Sequence, residues 1–428
     1  MFKTLIDAFK VKEIRRKILI TLGLLLIYRL GCWIPTPGIN TSAFSATVDG
    51  QSFLSLLSSI SGGALSQGAI LALGVSPYIS ASIIIQLLSI AIPYLERLSK
   101  MGDEGRKKIA TYTKYCALVL AIVQAIAIVV SYSSSIKELM FPQWVTSAMV
   151  VLILVAGSMF TFWLGEKITA LGIANGQSLL IFVGILSTAA NSIFTNITYI
   201  FEGSMESLWE LLIFIVALVF IFGFIVFIDM AERKVPVQYA KQIKGRKMYG
   251  GQSTYIPVRL NATGVMPIIF AMSLLTFPQL LMSIFWPNSS AFAWYSEWLG
   301  AGSWVYIVLV GLLITFFAYF WTQITFNPED ISRQIQQNGG FVPGIRPGKP
   351  TAEYLKKISN RITLFGAGFL AIIAIVPSLI FKGISTTGSL VSAFSATGLL
   401  IVVSVAIELQ KSLDSQMLMR NYKGFLNK

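Results

Sequence analysis

Of the chain's 428 residues 55% are hydrophobic and 12% charged, none is histidine, and the formal net charge is +14; mean hydropathy is +0.73. Soluble domains carry about 25% charged residues, so this composition excludes an ordinary water-soluble domain and points to an all-α polytopic membrane protein. Without histidine there is no Ser–His catalysis, no His-Glu-x-x-His zinc site and no histidine proton relay.

Apolar runs of roughly 17–24 residues predict about ten spans, near 18–36, 75–92, 113–132, 145–164, 177–195, 209–229, 265–286, 303–325, 362–381 and 389–408. The first run is expected to be a span and not a cleaved signal peptide, because it has spanning length and no small-residue cleavage site follows it. Between the first and second runs, the stretch from Ser52 to Leu88 is apolar enough to enter a bilayer. Gly62, Gly63, Gly68, Gly74 and Pro77 interrupt it. Its second half, from about Val75, reads as a clean spanning helix; the first half reads as a segment that dips into the bilayer and stops. Irregular backbone at membrane depth is tolerated only where protein buries it or where it lines a cavity. The break therefore points to a pore or a transport site. The alternative is a kinked spanning helix whose small residues serve helix packing.

Basic residues give the orientation. They cluster in the N-terminal stretch from Lys3 to Lys17, from Arg97 to Lys114, from Arg233 to Arg259, from Arg333 to Arg361, and in the tail from Lys411 to Lys428. Only Lys137 and Lys382 fall on the opposite side, with Arg29 near the outer part of the first span. The positive-inside rule makes the basic side cytoplasmic, and an even span count places both termini there. The charge needs no nucleic-acid explanation. Cys32 and Cys116 fall in or beside different spans, which argues against a structural disulfide.

Two cytoplasmic loops are longer than a bundle needs: Asp229 to Gly264 and Phe326 to Arg361. Both mix basic residues with aromatics and turn-forming Gly and Pro. Two readings are open, affinity for anionic lipid headgroups and docking of a cytosolic partner. The turn Gly344-Ile345-Arg346-Pro347-Gly348 favours a partner, since Gly and Pro fix the backbone around one arginine.

Absences narrow the function. Asp229 is the only aspartate near a span, and Glu166, Glu210 and Glu408 also sit at span ends. Coupled transporters usually place an ionisable group at mid-membrane, and here none lies clearly there. The chain has no Gly-x4-Gly-Lys-Ser/Thr phosphate loop. A passive conduit driven from elsewhere is the expected class, with no enzymatic activity, cofactor or metal. A secondary transporter of a small solute is the alternative reading.

Several long motifs, in order, resemble the SecY/Sec61 alpha family of protein-conducting channels. They are Ser61-Gly62-Gly63-Ala64-Leu65, ALGVSPYISASIIIQLL from Ala72, GRKKIATYTKY from Gly105, WLGEKITALGIANG from Trp163, YAKQIKGRKMYGGQSTYIPVRLN from Tyr239, and FNPEDI and FVPGIRPGKPT in the second long loop. The resemblance implies ten spans in two inverted, pseudosymmetric halves, about 1–200 and 201–428, around a central pore with a re-entrant plug. It further implies a plug at about 61–73 beginning Ser61, Gly62, Gly63, Ala64 and Leu65, and a pore ring of Val75, Ile79, Gln177, Ile181, Ile269 and Ile401. Ser80, Gln124 and Asn261 match the lateral gate, where signal sequences leave for lipid. Lys234, Arg246, Lys247, Arg346 and Tyr422 match positions that contact a motor ATPase or a ribosome. The implied partners are the small membrane subunits SecE and SecG, the SecA motor, the ribosome, signal-sequence-bearing polypeptides and membrane lipid, at a bacterial plasma membrane. No specific nucleic acid is implied beyond ribosome contact.

Bulky aliphatics at a waist make a dewetted seal that yields around a polypeptide. Gln177 departs from that pattern. Its amide either points into the ring, or turns toward the helix start at Asn175 and Gly176 or toward the plug and bonds there.

Overall fold

The computed structural model describes residues 8–41, 58, 61–131, 142–201, 205–239, 242–244, 247–249, 253–261, 264, 266–286, 289–299, 303–384 and 396–426. Helix α1 covers Lys12–Gly31, and after a stretch of turns α2 covers Ser76–Ala91. Pro93 cannot donate to the preceding turn and pushes Ile92 out of helical geometry. Ile92 is accordingly extended (φ −103°, ψ 115°), and α3 (Pro93–Lys100) departs at 105° to α2. Then follow α4 (Asp103–Ser131), α5 (Gln143–Leu171), α6 (Gly176–Phe201) and α7 (Met205–Asp229). Four strands, β1 (Glu232–Tyr239), β2 (Gln242–Lys244), β3 (Lys247–Tyr249) and β4 (Ser253–Arg259), precede α8 (Met266–Phe285) and α9 (Ser290–Trp298). The chain continues through α10 (Trp304–Thr325), α11 (Pro328–Gln337), β5 (Gly340–Phe341), α12 (Lys349–Ile384) and α13 (Ala396–Leu426).

These helices fall on all ten apolar segments. Among the described residues six are long and apolar enough to cross a membrane, or seven if the bent pair α2–α3 counts as one span. The basic run at the start of α1 shortens the apolar stretch that helix offers. Helix α7 shows what solvent the fold is built for. Phe220 and Phe227 on it are 76% and 74% exposed, and only 11% of its apolar window is buried. A contiguous surface of that kind belongs in lipid.

Two compact units divide the chain: residues 1–214, 273–306 and 381–428, and residues 215–272 and 307–380. In the first, α4 packs on α2 and α5, α5 packs on α1 and α6, and α13 packs on α6. Small residues permit the close approaches. A Cβ on Gly176 of α6 would stand 2.1 Å from the carbonyl oxygen of Gly165 on α5.

The second unit adds a small sheet to the mostly helical fold. Strands β4, β1 and β5 form an antiparallel sheet in that order, in a register running from Glu232↔Arg259 to Gln238↔Ser253 and including Gln238↔Phe341. Strands β2 and β3 form a separate hairpin. Val235, Val237 and Val258 bury one face of the sheet against Ile335, Val342 and Leu355. What reads in the sequence as two long loops is therefore a small α/β layer with its own core. Helix α12 also begins at Lys349, well before the apolar run at 362, so its first turns are polar.

Candidate channel site

Residues 61–75 form successive turns without a helix, and they are buried except for a few half-buried or exposed positions such as Gln67. Left-handed backbone at Gly62, Gly63, Gly68 and Gly74 makes these turns possible. Backbone polar groups at this depth need partners. Thr36 N–H donates to Gly68 O at 2.8 Å, and Ile70 N–H donates to Ile34 O at 2.9 Å. Ser158 on α5 donates to Gly74 O at 3.3 Å. Leu65, Ala72 and Leu73 enter one apolar cluster with Ala125, Ile128 and Val129 of α4 and Val150 and Leu154 of α5. The expected plug residues Ser61, Gly62, Gly63, Ala64 and Leu65 all lie in this segment. Ser61 itself caps a turn, its hydroxyl donating to Ser58 O and accepting from Leu65 N–H.

Of the residues matched to the pore ring, Val75, Ile181 and Ile401 are buried, while Ile79, Gln177 and Ile269 are half-buried. Val75, Ile79, Gln177, Ile181 and Ile401 belong to the first unit; Ile269, on α8, belongs to the second. Gln177 takes a placement that neither alternative named. Its amide lies against Gly165, where an added Cβ would come within 2.5 Å of Nε2, and Nε2 donates to Phe162 O at 3.3 Å. Oε1 is buried with no hydrogen-bond partner among the described residues. Asn175 caps the helix start separately, its Oδ1 accepting from Gln177 N–H. Phe162 also packs against Tyr78, ring centroids 4.6 Å apart and tilted by 37°, and lies 5.5 Å from Lys114 Nζ, which pairs with Glu166 at 2.7 Å.

Of the residues matched to the lateral gate, Ser80 and Gln124 belong to the first unit and Asn261 to the second. Gln124 on α4 is buried and its Oε1 has no partner among the described residues. Ser80 is half-buried on α2. Asn261 instead donates through Nδ2 to Asp229 Oδ1 at 2.9 Å, tying the end of α7 to the end of β4 within the second unit. Both cysteines are free.

The second unit holds Arg346 at a fixed place. Thr351, which is buried, donates to Arg346 O at 2.8 Å, and buried Ser332 donates to Gly348 O at 2.7 Å. Gly344 and Gly348 supply the positive φ values of 83° and 95° that the turn demands. The guanidinium is left exposed above this scaffold. Lys234 is also exposed, 4.7 Å over the Tyr255 ring and 3.7 Å from Glu232. Arg246 and the side chains of Lys247 and Tyr422 lie outside the described residues.

Sequence reading missed the glycine stripe on α5. Gly157, Thr161 and Gly165, four apart, lie on one face and are buried, and a Cβ on Gly157 would stand 2.1 Å from Ile70 O. The spacing of small residues was the available cue.

Long apolar helices with exposed apolar faces, gathered around a buried irregular segment, define a multi-pass helical membrane protein. The SecY family model matches residues 69–410. The protein translocase subunit SecY of Streptomyces lividans is 39% identical over 446 residues, covering all of both chains. The chain belongs to the SecY family. The fold agrees with solved channels. One is a SecY protein whose plug domain is described as stabilising its closed state (TM-score 0.66, 19% identity, 94% and 92% of the two chains). Another is Sec61 in the canine ribosome–channel complex (TM-score 0.62, 18% identity, 94% and 92%).

Proposed function

We propose that the chain is the pore-forming subunit of a protein translocase, passing unfolded polypeptides across a bacterial plasma membrane and releasing apolar segments sideways into lipid. The observation that carries this is the buried run of turns at 61–75, set among spanning helices, in a chain of the SecY family. A solute transporter needs a built polar site; this segment instead fills space with Leu65, Leu71 and Leu73. In this reading ten spans form two inverted halves with both termini cytoplasmic, and residues 61–73 plug the outer funnel at rest. Val75, Ile79, Gln177, Ile181, Ile269 and Ile401 form the seal, and Ser80, Gln124 and Asn261 line the gate. Arg346, with Lys234, Arg246, Lys247 and Tyr422, meets a SecA-type motor or a ribosome; SecE- and SecG-type subunits complete the complex. The reading assigns no catalysis to the chain itself.

The test is reconstitution with the small subunits in proteoliposomes. Motor and ATP should render a preprotein protease-resistant. Arg346→Glu should insert normally yet abolish this transport, because a planar guanidinium offers paired donors that a carboxylate reverses. Saturable uptake of a small solute without preprotein transport would overturn the reading.

A further inference from the structure

Arg29 has no role in the family resemblance as drawn from the motifs, yet it touches the segment assigned as the plug. It sits half-buried near the end of α1. Its Nη1 donates to Gly62 O at 3.2 Å, and its Nη2 donates to the Ser187 hydroxyl on α6. One side chain thus joins three elements that are 33 and 158 residues apart. Gly62 is confined from both sides. Its φ is +72°, and a Cβ there would stand 2.5 Å from Arg29 Nη1 and 2.8 Å from Gly184 Cα, one helical turn before Ser187.

We infer that Arg29 is a positioning residue that latches the plug closed, with Ser187 aiming its guanidinium at the Gly62 carbonyl. The inference rests on the reading of residues 61–73 as a plug. Two features suit a latch over a permanent strut. First, both acceptors are neutral, and among the described residues no carboxylate lies within ion-pair distance of Arg29. A buried ion pair loses heavily when one partner leaves; a guanidinium that loses a carbonyl can take a water in its place once the funnel is wet. Second, the two arms are unequal in consequence. The arm to Ser187 joins two helices and survives plug departure, so the guanidinium stays aimed at the vacated position for re-closure. Only a planar, forked cation can hold both arms at once; lysine offers a single point of charge.

The test is resting ion conductance of the purified complex in planar bilayers, comparing wild type, Arg29→Gln, Arg29→Lys, Ser187→Ala and a deletion of residues 61–71. Loss of a charge-assisted hydrogen bond shifts the closed–open balance by about tenfold, so Arg29→Gln should raise the open population by about that factor. Arg29→Lys and Ser187→Ala should give smaller rises. In the deletion background Arg29→Gln should add nothing, which a general loss of helix packing would not produce. If the deletion leaks and every Arg29 and Ser187 variant behaves as wild type, the latch is rejected and the plug stands. If the deletion does not leak, the plug reading fails and takes the latch with it. A further rise from Arg29→Gln on top of the deletion also rejects the latch. Should Arg29→Gln not assemble, Arg29→Lys and Ser187→Ala decide alone, and wild-type conductance in both is a rejection.

Discussion

Residues 61–75 and the stretches 229–264 and 326–361 all interrupt the spanning helices, but they satisfy their backbones differently. The first has no regular partner strand. Beyond the bonds within its own turns, its carbonyls and amides go one by one to Ile34, Thr36, Ser158 and Arg29, and its shape rests on glycines at positive φ. The two long stretches pair with each other as a sheet and close over a core of Val235, Val237, Val258, Ile335, Val342 and Leu355. A segment held by scattered single bonds can be released piecemeal as water replaces them. A sheet over a core melts as a unit. The first suits a part that moves, the second a part that must present Arg346 in one place.

The comparison is best broken where α5 passes close to the buried segment. Gly157→Val puts side-chain carbon where Ile70 O now sits, 2.1 Å from the ideal Cβ. Overpacking of this kind costs about 1–3 kcal/mol or more when backbone must move. The expected outcome is displacement of residues 70–75, read as a large increase in bilayer conductance with motor binding, as proposed for the sheet-bearing unit, unchanged. Wild-type conductance would mean that the segment is not held where α5 passes it.

Leu355→Ala acts on the other region. The residue is fully buried, and truncating a buried leucine costs about 2–5 kcal/mol. Motor or ribosome binding should fall and proteolysis of the 229–264 stretch should rise, with resting conductance unchanged. A leak with intact binding would erase the distinction between the two regions.

Smaller effects sharpen the picture. Ser158→Ala removes one hydrogen bond to Gly74 O and should destabilise the closed segment by about 1 kcal/mol, visible as a modest rise in conductance. Gln177→Ile should change conductance least. It loses the bond to Phe162 O but also removes the unpartnered Oε1, so the two terms oppose each other and the net is below about 1 kcal/mol. A large change of either sign would place the amide in the conducting path.

The helices and the break at Gly62, Gly63, Gly68 and Gly74 were legible in the sequence, because apolar runs and glycine clusters are local signals. Helix ends were not: α4 starts at Asp103 and α12 at Lys349, in charged stretches that hydropathy assigns to loops. The sheet was missed although Val235 and Val237 alternate with exposed residues. Its strands are short, and β1 finds β5 only across about a hundred residues. At the site, the resemblance assigned Gln177 to the ring, while Gly165, inside the quoted WLGEKITALGIANG stretch, carried no sign that it receives the amide. Arg29 looked like a stray cation near the outer part of a span, since its partners lie 33 and 158 residues away. Nothing local marks such pairs.

The most direct test of the account is to arrest a secretory polypeptide midway through the reconstituted complex and probe its surroundings with a photo-crosslinker placed in this chain. Probes at Val75, Ile181 and Ile401 should capture the arrested polypeptide, and a probe at Phe220, exposed on α7, should not. Capture from Phe220 with none from the three buried positions would contradict a path through this chain.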